Sequence, residues 1–120
     1  MKYNDFGKTG LKISKLGFGC MRIPEKEENG VWSYDEELFS SMIRHGYELG
    51  INYFDTAFNY GHQNNQAMVG KAVKPFRDKI LLSTKIPVSG INSEAHFRET
   101  LENVSRVSTL LILIFCISMR

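Results

Sequence analysis

At 120 residues, 42% of them hydrophobic and 23% charged, the chain has the length of one ordinary domain and enough apolar content for a core, which excludes wholesale disorder. Its 15 basic and 13 acidic residues are scattered and leave a formal net charge of +2, a balance that argues for neither nucleic acid nor an anionic membrane surface as partner. Cys20 and Cys116 stand too far apart for a Cys-x-x-Cys metal site or a disulfide framework, so no metal is expected and a reducing, cytoplasmic compartment is the simplest reading.

No apolar stretch follows the charged start of the chain, so no secretory signal is expected. The longest apolar run, 110–117, is far shorter than the roughly 20 residues of a bilayer span. Residues 3–6 and 12–14 predict two short strands joined through the turn-rich Gly7-Lys8-Thr9-Gly10. The Gly-Lys-Thr triplet invites a phosphate-loop reading, but that motif needs a further glycine at position 2, which is Lys. A hairpin turn remains.

Residues 16–19 predict a short buried strand opening into Cys20-Met21-Arg22. Gly17 and Gly19 look like the start of a dinucleotide fingerprint, yet Arg22 stands where its third glycine belongs. Pro24 and the polar stretch 25–30 predict a loop rather than a helix. Gly19 still permits close backbone approach to a ligand.

Ser33-Tyr34-Asp35-Glu36 has the form of a capping box, with Ser33 and Glu36 as the reciprocal pair. Leu38, Phe39, Met42, Ile43, Gly46 and Leu49 then recur at helical spacing as a core-facing stripe, and Gly50 supplies a left-handed stop. A strand over 51–54 follows directly and delivers Asp55. Asn64 or Asn65 caps a second helix carrying Met68, Val69, Ala72 and Val73, with Pro75 beyond its end. The next strand, 79–84, ends in Lys85. Ser93 caps a third helix with Phe97, Leu101 and Val104 inward and Glu94 paired with Arg98 outward, and the closing apolar run fits a fourth strand. Such alternation predicts an α/β fold with a parallel sheet and right-handed crossovers.

Asp55, Tyr60 and Lys85 fall at the downstream ends of these strands and form a candidate proton-transfer set. A phenol, with a pKa near ~10, is a poor acid at neutral pH. A neighbouring ammonium favours the phenolate and eases proton release, and a carboxylate keeps that ammonium charged and oriented. Singly, each residue has an ordinary reading: a packing tyrosine, a turn aspartate, a solvated lysine at a strand end. The three together carry the inference. His62 lies in the same loop as Tyr60 and is placed at the rim; His45 and His96 are read as surface residues.

Phe6-Gly7-Lys8-Thr9-Gly10-Leu11-Lys12-Ile13-Ser14, Leu16-Gly17-Phe18-Gly19-Cys20-Met21, Gly50-Ile51-Asn52-Tyr53-Phe54-Asp55-Thr56-Ala57 and Ser83-Thr84-Lys85 resemble the N-terminal third of the aldo-keto reductases. The resemblance runs from about residue 3 to about 103, and the Cys20-Met21-Arg22 turn is most similar to bacterial members that add a C-terminal iron–sulfur domain. It implies the N-terminal portion of a (β/α)8 TIM barrel preceded by a β-hairpin, with NADPH lying across the top. The implied reaction is reversible reduction of an aldehyde or ketone. Tyr60 would be the proton donor, Asp55 and Lys85 the ion pair beside it. Gly19, Cys20 and Met21, together with Asp55, would lie at the nicotinamide end of the cofactor.

Two departures stand out. Gln66 replaces a family glutamate. Beyond residue 103 the family pattern is a fourth strand followed by a catalytic histidine, whereas 104–120 is an aberrant apolar segment with no histidine. A reading frame shifted by one nucleotide near codon 104 would account for it. The expectation is therefore a barrel truncated after about three β/α units, over 1–103, and inactive alone. The alternative is a non-catalytic α/β fragment, or an association module with an idle Asp-Tyr-Lys site. Stretch 110–117, uncharged and strand-prone, is expected to drive self-association or aggregation.

Overall fold

The computed structural model describes residues 1–87, 90–108 and 112–117. Strands β1 (Tyr3–Asp5) and β2 (Lys12–Ser14) form the expected antiparallel hairpin, with Tyr3 opposite Ser14. Gly7 and Gly10 at its turn both have positive φ, a conformation that side chains resist. Asn52 fastens this hairpin to the rest of the chain: its amide oxygen accepts from Ser14 N at 2.7 Å and its Nδ2 donates to the Lys12 carbonyl at 2.9 Å.

Strand β3 (Phe18–Gly19) is followed by a second hairpin rather than a loop: β4 (Glu25–Glu28) and β5 (Val31–Tyr34) pair antiparallel. The reason is the Asn29-Gly30 pair, both with positive φ, which makes the tight two-residue turn whose twist matches a hairpin. The charge of Glu25-Lys26-Glu27-Glu28 hides any strand alternation there. Ser33 is consequently a strand residue. The cap of helix α1 (Glu36–Glu48) is Asp35, whose carboxylate accepts from Leu38 N at 2.9 Å.

Helix α1 buries Phe39, Ile43 and Gly46, while Leu38, Met42 and Leu49 are 48%, 42% and 58% exposed. The predicted stripe thus splits into a core row and a surface row. Gly46 is required where it stands, since a Cβ there would lie 2.9 Å from the ring of Phe18. Gly50, at φ +91, ends the helix as expected.

Strand β6 (Tyr53–Asp55) leads through a short 3-10 turn, Tyr60–Gln63, into helix α2 (Asn65–Val73). Asn64 occupies the cap position of α2 without a side-chain capping bond, and Asn65 turns inward instead. A second 3-10 turn, Lys74–Lys79, carries Pro75. Strand β7 (Leu81–Pro87) runs two residues beyond Lys85, because its ladder with β8 (Ile112–Ile117) continues to the pair Pro87–Ile117. Helix α3 (Glu94–Ser108) lies between them, with Ser93 Oγ accepting from His96 N and Glu94 paired to Arg98.

The parallel sheet has the order β3-β6-β7-β8. Phe54, Leu82, Thr84 and Ile86 lie on one set of alternating positions and are buried, as are Phe39, Ile43, Val69 and Val73 from the helices. Each such large apolar side chain contributes about 1.5–3 kcal/mol relative to exposure. The other alternating set carries Asp55, Ser83 and Lys85. In the fourth-strand region, Leu110, Leu111 and 118–120 lie outside the described residues, so the apolar run is seen as strand only over Ile112–Ile117.

Candidate active site

Register brings the site together. Gly19 pairs with Asp55 and Asp55 with Ser83, so three chemically different residues sit side by side across β3, β6 and β7. Lys85 is two residues downstream of Ser83 and therefore on the same face. Its ammonium reaches back to Asp55 Oδ2 and donates to the Thr56 carbonyl at 3.0 Å. Ser83 Oγ holds the other carboxylate oxygen, Oδ1, at 2.7 Å. The Asp55 and Lys85 side chains are only 29% and 22% exposed, so salt screens this pair less than a surface one.

Tyr60 enters from the turn after β6. Its N–H donates to the Ala57 carbonyl at 3.2 Å, and Phe58 N–H donates to the Lys85 carbonyl at 3.1 Å, which ties this loop to β7. Lys85 Nζ lies 5.1 Å from the centroid of the half-buried Tyr60 ring, within cation–π range. Burial pushes the Lys85 ammonium down; the hydrogen bond to Asp55, the Tyr60 oxygen and the attraction of both outweigh it, and the net direction is up. Lys85 is thus a firmly charged donor between a carboxylate and a phenol.

A cleft of about 260 Å³ opens beside Tyr60, lined by Met21, Arg22, Tyr34, Asn59 and His62 among others. Tyr34 reaches it from β5, so the unforeseen second hairpin supplies one wall. Met21 is 51% exposed at its edge, and a Cβ built on Gly19 would meet nothing within 4 Å. Cys20 differs from its neighbours. Its thiol is fully buried and pushed up to about 12, chiefly by that burial and then by the Asp55 carboxylate. Its N–H and carbonyl are both used within the protein, by Asp55 O and Asn65 Nδ2.

Beneath the site lies a buried polar layer whose role sequence reasoning did not foresee. Thr56, Asn65, Ser83 and Thr84 are fully buried and Gln66 is nearly so. Thr56 Oγ1 donates to Asn65 Oδ1, and Gln66 Nε2 donates to Thr84 Oγ1 at 2.6 Å. The available signal was compositional: Ser83 and Thr84 interrupt a strand that should otherwise read as a continuous apolar run. His62 lines the cleft as placed, while His45 and His96 are exposed. Among the described residues no group of three His, Cys, Asp or Glu side chains is arranged to hold a metal, and no helix is long and apolar enough to cross a membrane.

Residues 15–110 match the model of the Aldo/keto reductase family. Over 100 residues the chain is 36% identical to the versiconal hemiacetal acetate reductase of Aspergillus parasiticus, covering 81% of this chain and 29% of that protein. The holo form of an aldo-keto reductase from Bacillus halodurans superposes with a TM-score of 0.72 at 33% identity, covering 91% of this chain and 37% of that one. An aldo-keto reductase from Klebsiella pneumoniae, solved in complex with NADPH, shares the fold at a TM-score of 0.66 and 21% identity, over 83% of this chain and 33% of that one. The chain therefore spans between 29% and 37% of the length of these relatives.

Proposed function

This chain belongs to the aldo/keto reductase family, and we propose that its residues serve the proton-delivering half of an NADPH-dependent reduction of an aldehyde or ketone. The observation that carries the proposal is the Lys85 ammonium held by Asp55 on one side and facing Tyr60 on the other, beside an open cleft. In this reading a small carbonyl compound lies in the cleft with its oxygen toward the Tyr60 hydroxyl. Tyr60 would give its phenol proton to that oxygen during the reduction, and the resulting phenolate would be stabilised by Lys85, which Asp55 keeps in place.

The hydride is what NADPH supplies when bound. The residues present fit such a group: Gly19 offers open space above the strand ends, and Met21 presents an exposed apolar surface beside it. Cys20, with its thiol in the core, would hold that turn from below rather than touch the cofactor. Asp55 would act through Lys85. The Cys20-Met21-Arg22 turn supports placing the chain near the bacterial members with an iron–sulfur domain, and a cytoplasmic location belongs to the same proposal.

By itself the 120-residue stretch is proposed to be inactive, because residues that act as a unit give no partial credit and the stretch covers 29% and 37% of the relatives it matches. We divide it at 103/104 by composition; α3 and the family match both run across that point. Within the described sheet β8 has a neighbour on one side only, which supports self-association through 110–117.

Cofactor fluorescence tests the proposal. NADPH titrated into the chain should give a saturable signal that Gly19→Leu abolishes while the melting temperature holds, since the new side chain enters open space. No saturable signal in the native chain, or equal binding by the Gly19→Leu variant, sinks the cofactor assignment. Steady oxidation of NADPH by a simple aldehyde, lost in Tyr60→Phe, would overturn the statement that the stretch is inactive alone.

A further inference from the structure

We propose that Asn65 is a positioning residue for the Asp55, Lys85 and Tyr60 set, an inference that rests on the reductase reading and gives that site its scaffold. Asn65 opens α2 and is fully buried. An amide leaves water at low cost only where its donor and its acceptor both find partners. Here Nδ2 donates to the Cys20 carbonyl at 2.6 Å, and Oδ1 accepts from the Thr56 hydroxyl. The Cys20 bond fixes the amide's orientation, since the reverse placement would set Oδ1 against the Cys20 carbonyl oxygen, acceptor against acceptor.

Each partner is one peptide away from the chemistry. Thr56 receives Lys85 Nζ on its own carbonyl at 3.0 Å and donates its N–H to the Ser83 carbonyl at 2.9 Å. Cys20 donates its N–H to the Asp55 carbonyl at 2.8 Å. From the helix side, Asn65 therefore clamps the two backbone segments next to Asp55. A lysine ammonium has three N–H donors. Asp55 takes one and the Thr56 carbonyl a second, which leaves the third free to face Tyr60. Release of the Thr56 peptide would remove the second partner and with it the direction of the third. Thus Asn65 acts on the proton donor through Thr56 and Lys85, and on the turn at Gly19 through Cys20.

The test follows the side-chain ammonium signal of Lys85 by nitrogen-edited NMR in the intact 120-residue chain, titrated from neutral to strongly alkaline pH. Asn65→Leu removes both bonds, and Thr56→Val removes only the hydroxyl while keeping the branched shape. Both should lower the proton affinity of Lys85 by roughly tenfold, the worth of one hydrogen bond to a charged group. Val73→Ala, a buried change at the opposite end of α2 from Asn65, should lower the melting temperature and leave the Lys85 titration in place.

Native-like Lys85 titration in Thr56→Val overturns the proposal, as does an equal shift in Val73→Ala. Should Asn65→Leu fail to fold, Thr56→Val decides alone. An NADPH titration on the same samples separates the two readings. A chain that ignores NADPH but whose Lys85 follows Asn65 and Thr56 removes the reductase reading and keeps this one; NADPH binding with an indifferent Lys85 does the reverse.

Discussion

The Ser83 hydroxyl holds Asp55 by the carboxylate oxygen that Lys85 does not use, at 2.7 Å and fully buried. A carboxylate gripped at one oxygen can swivel; gripped at both, it presents a fixed face to the ammonium. Ser83→Ala should therefore destabilise the chain by about 1–3 kcal/mol, because it leaves a charged acceptor without its buried donor. Urea unfolding of the two proteins checks this, and a difference below about 0.5 kcal/mol would show that Ser83 merely accompanies Asp55.

The upward direction at Lys85 has a consequence at alkaline pH. Burial alone would lower its proton affinity; Asp55 and Tyr60 reverse that. A lysine whose folded value lies above the unfolded ~10.4 stabilises the fold fully below that pH, and the contribution disappears as pH rises through the folded value. The native chain should thus lose stability above about pH 10 more steeply than Lys85→Met, which has no ammonium to titrate. Parallel alkaline stability curves for the two proteins would contradict the coupling.

The fold was legible wherever local chemistry and tertiary position agree. Gly50 stops α1, Ser93 caps α3, and the row Met68, Val69, Ala72, Val73 faces inward as its spacing says. Asp55 and Lys85 were legible because residues at strand ends share a face when they share register. The second hairpin was hidden by Glu25-Lys26-Glu27-Glu28, whose charge outweighed the Asn29-Gly30 turn beside it. Leu38, Met42 and Leu49 misled in the opposite way: helical spacing identifies two adjacent apolar rows but not which one meets the sheet. Asn65 was harder still. An asparagine ahead of a helix reads as a cap, and only the three-dimensional position of Cys20 and Thr56 turns it inward.

Cys20 should be chemically silent in the folded chain. Its thiol has no exposure and is pushed up to about 12, first by burial and then by Asp55, so almost no thiolate exists at neutral pH. An unfolded cysteine ionises near pH ~8.5, and between that pH and the folded value the folded state holds the extra proton. Stability from this group is therefore full below about pH 8.5 and falls as pH rises. Iodoacetamide labelling read by mass spectrometry should leave the Cys20 peptide unmodified in native buffer and modify it fully in denaturant. Rapid native labelling would mean that the turn above β3 opens.

Gly61 and Ile23 offer the sharpest test of how the Tyr60 loop is seated. Gly61 has φ +55 and follows Tyr60 directly, and a Cβ there would fall 2.5 Å from Ile23 Cδ1. Gly61→Ala thus carries two separable costs: about 1–2 kcal/mol for a left-handed non-glycine residue, and about 1–3 kcal/mol for the overlap with Ile23. Ile23→Val deletes the offending methyl, after which the nearest Ile23 atom, Cγ1, is at an ordinary 3.9 Å. Alone that change should cost about 0.5–1.5 kcal/mol. In the double variant the overlap is gone and the backbone cost remains beside that of Ile23→Val, so the two changes should sum to less than their separate effects by about 1 kcal/mol or more. Ile23 and Tyr60 line the same cleft, so relief of the overlap should also bring the Lys85 ammonium signal of the double variant back toward the native one. Strict additivity in a four-member denaturation series would place Gly61 away from Ile23 and leave the Tyr60 loop seated by its hydrogen bonds alone.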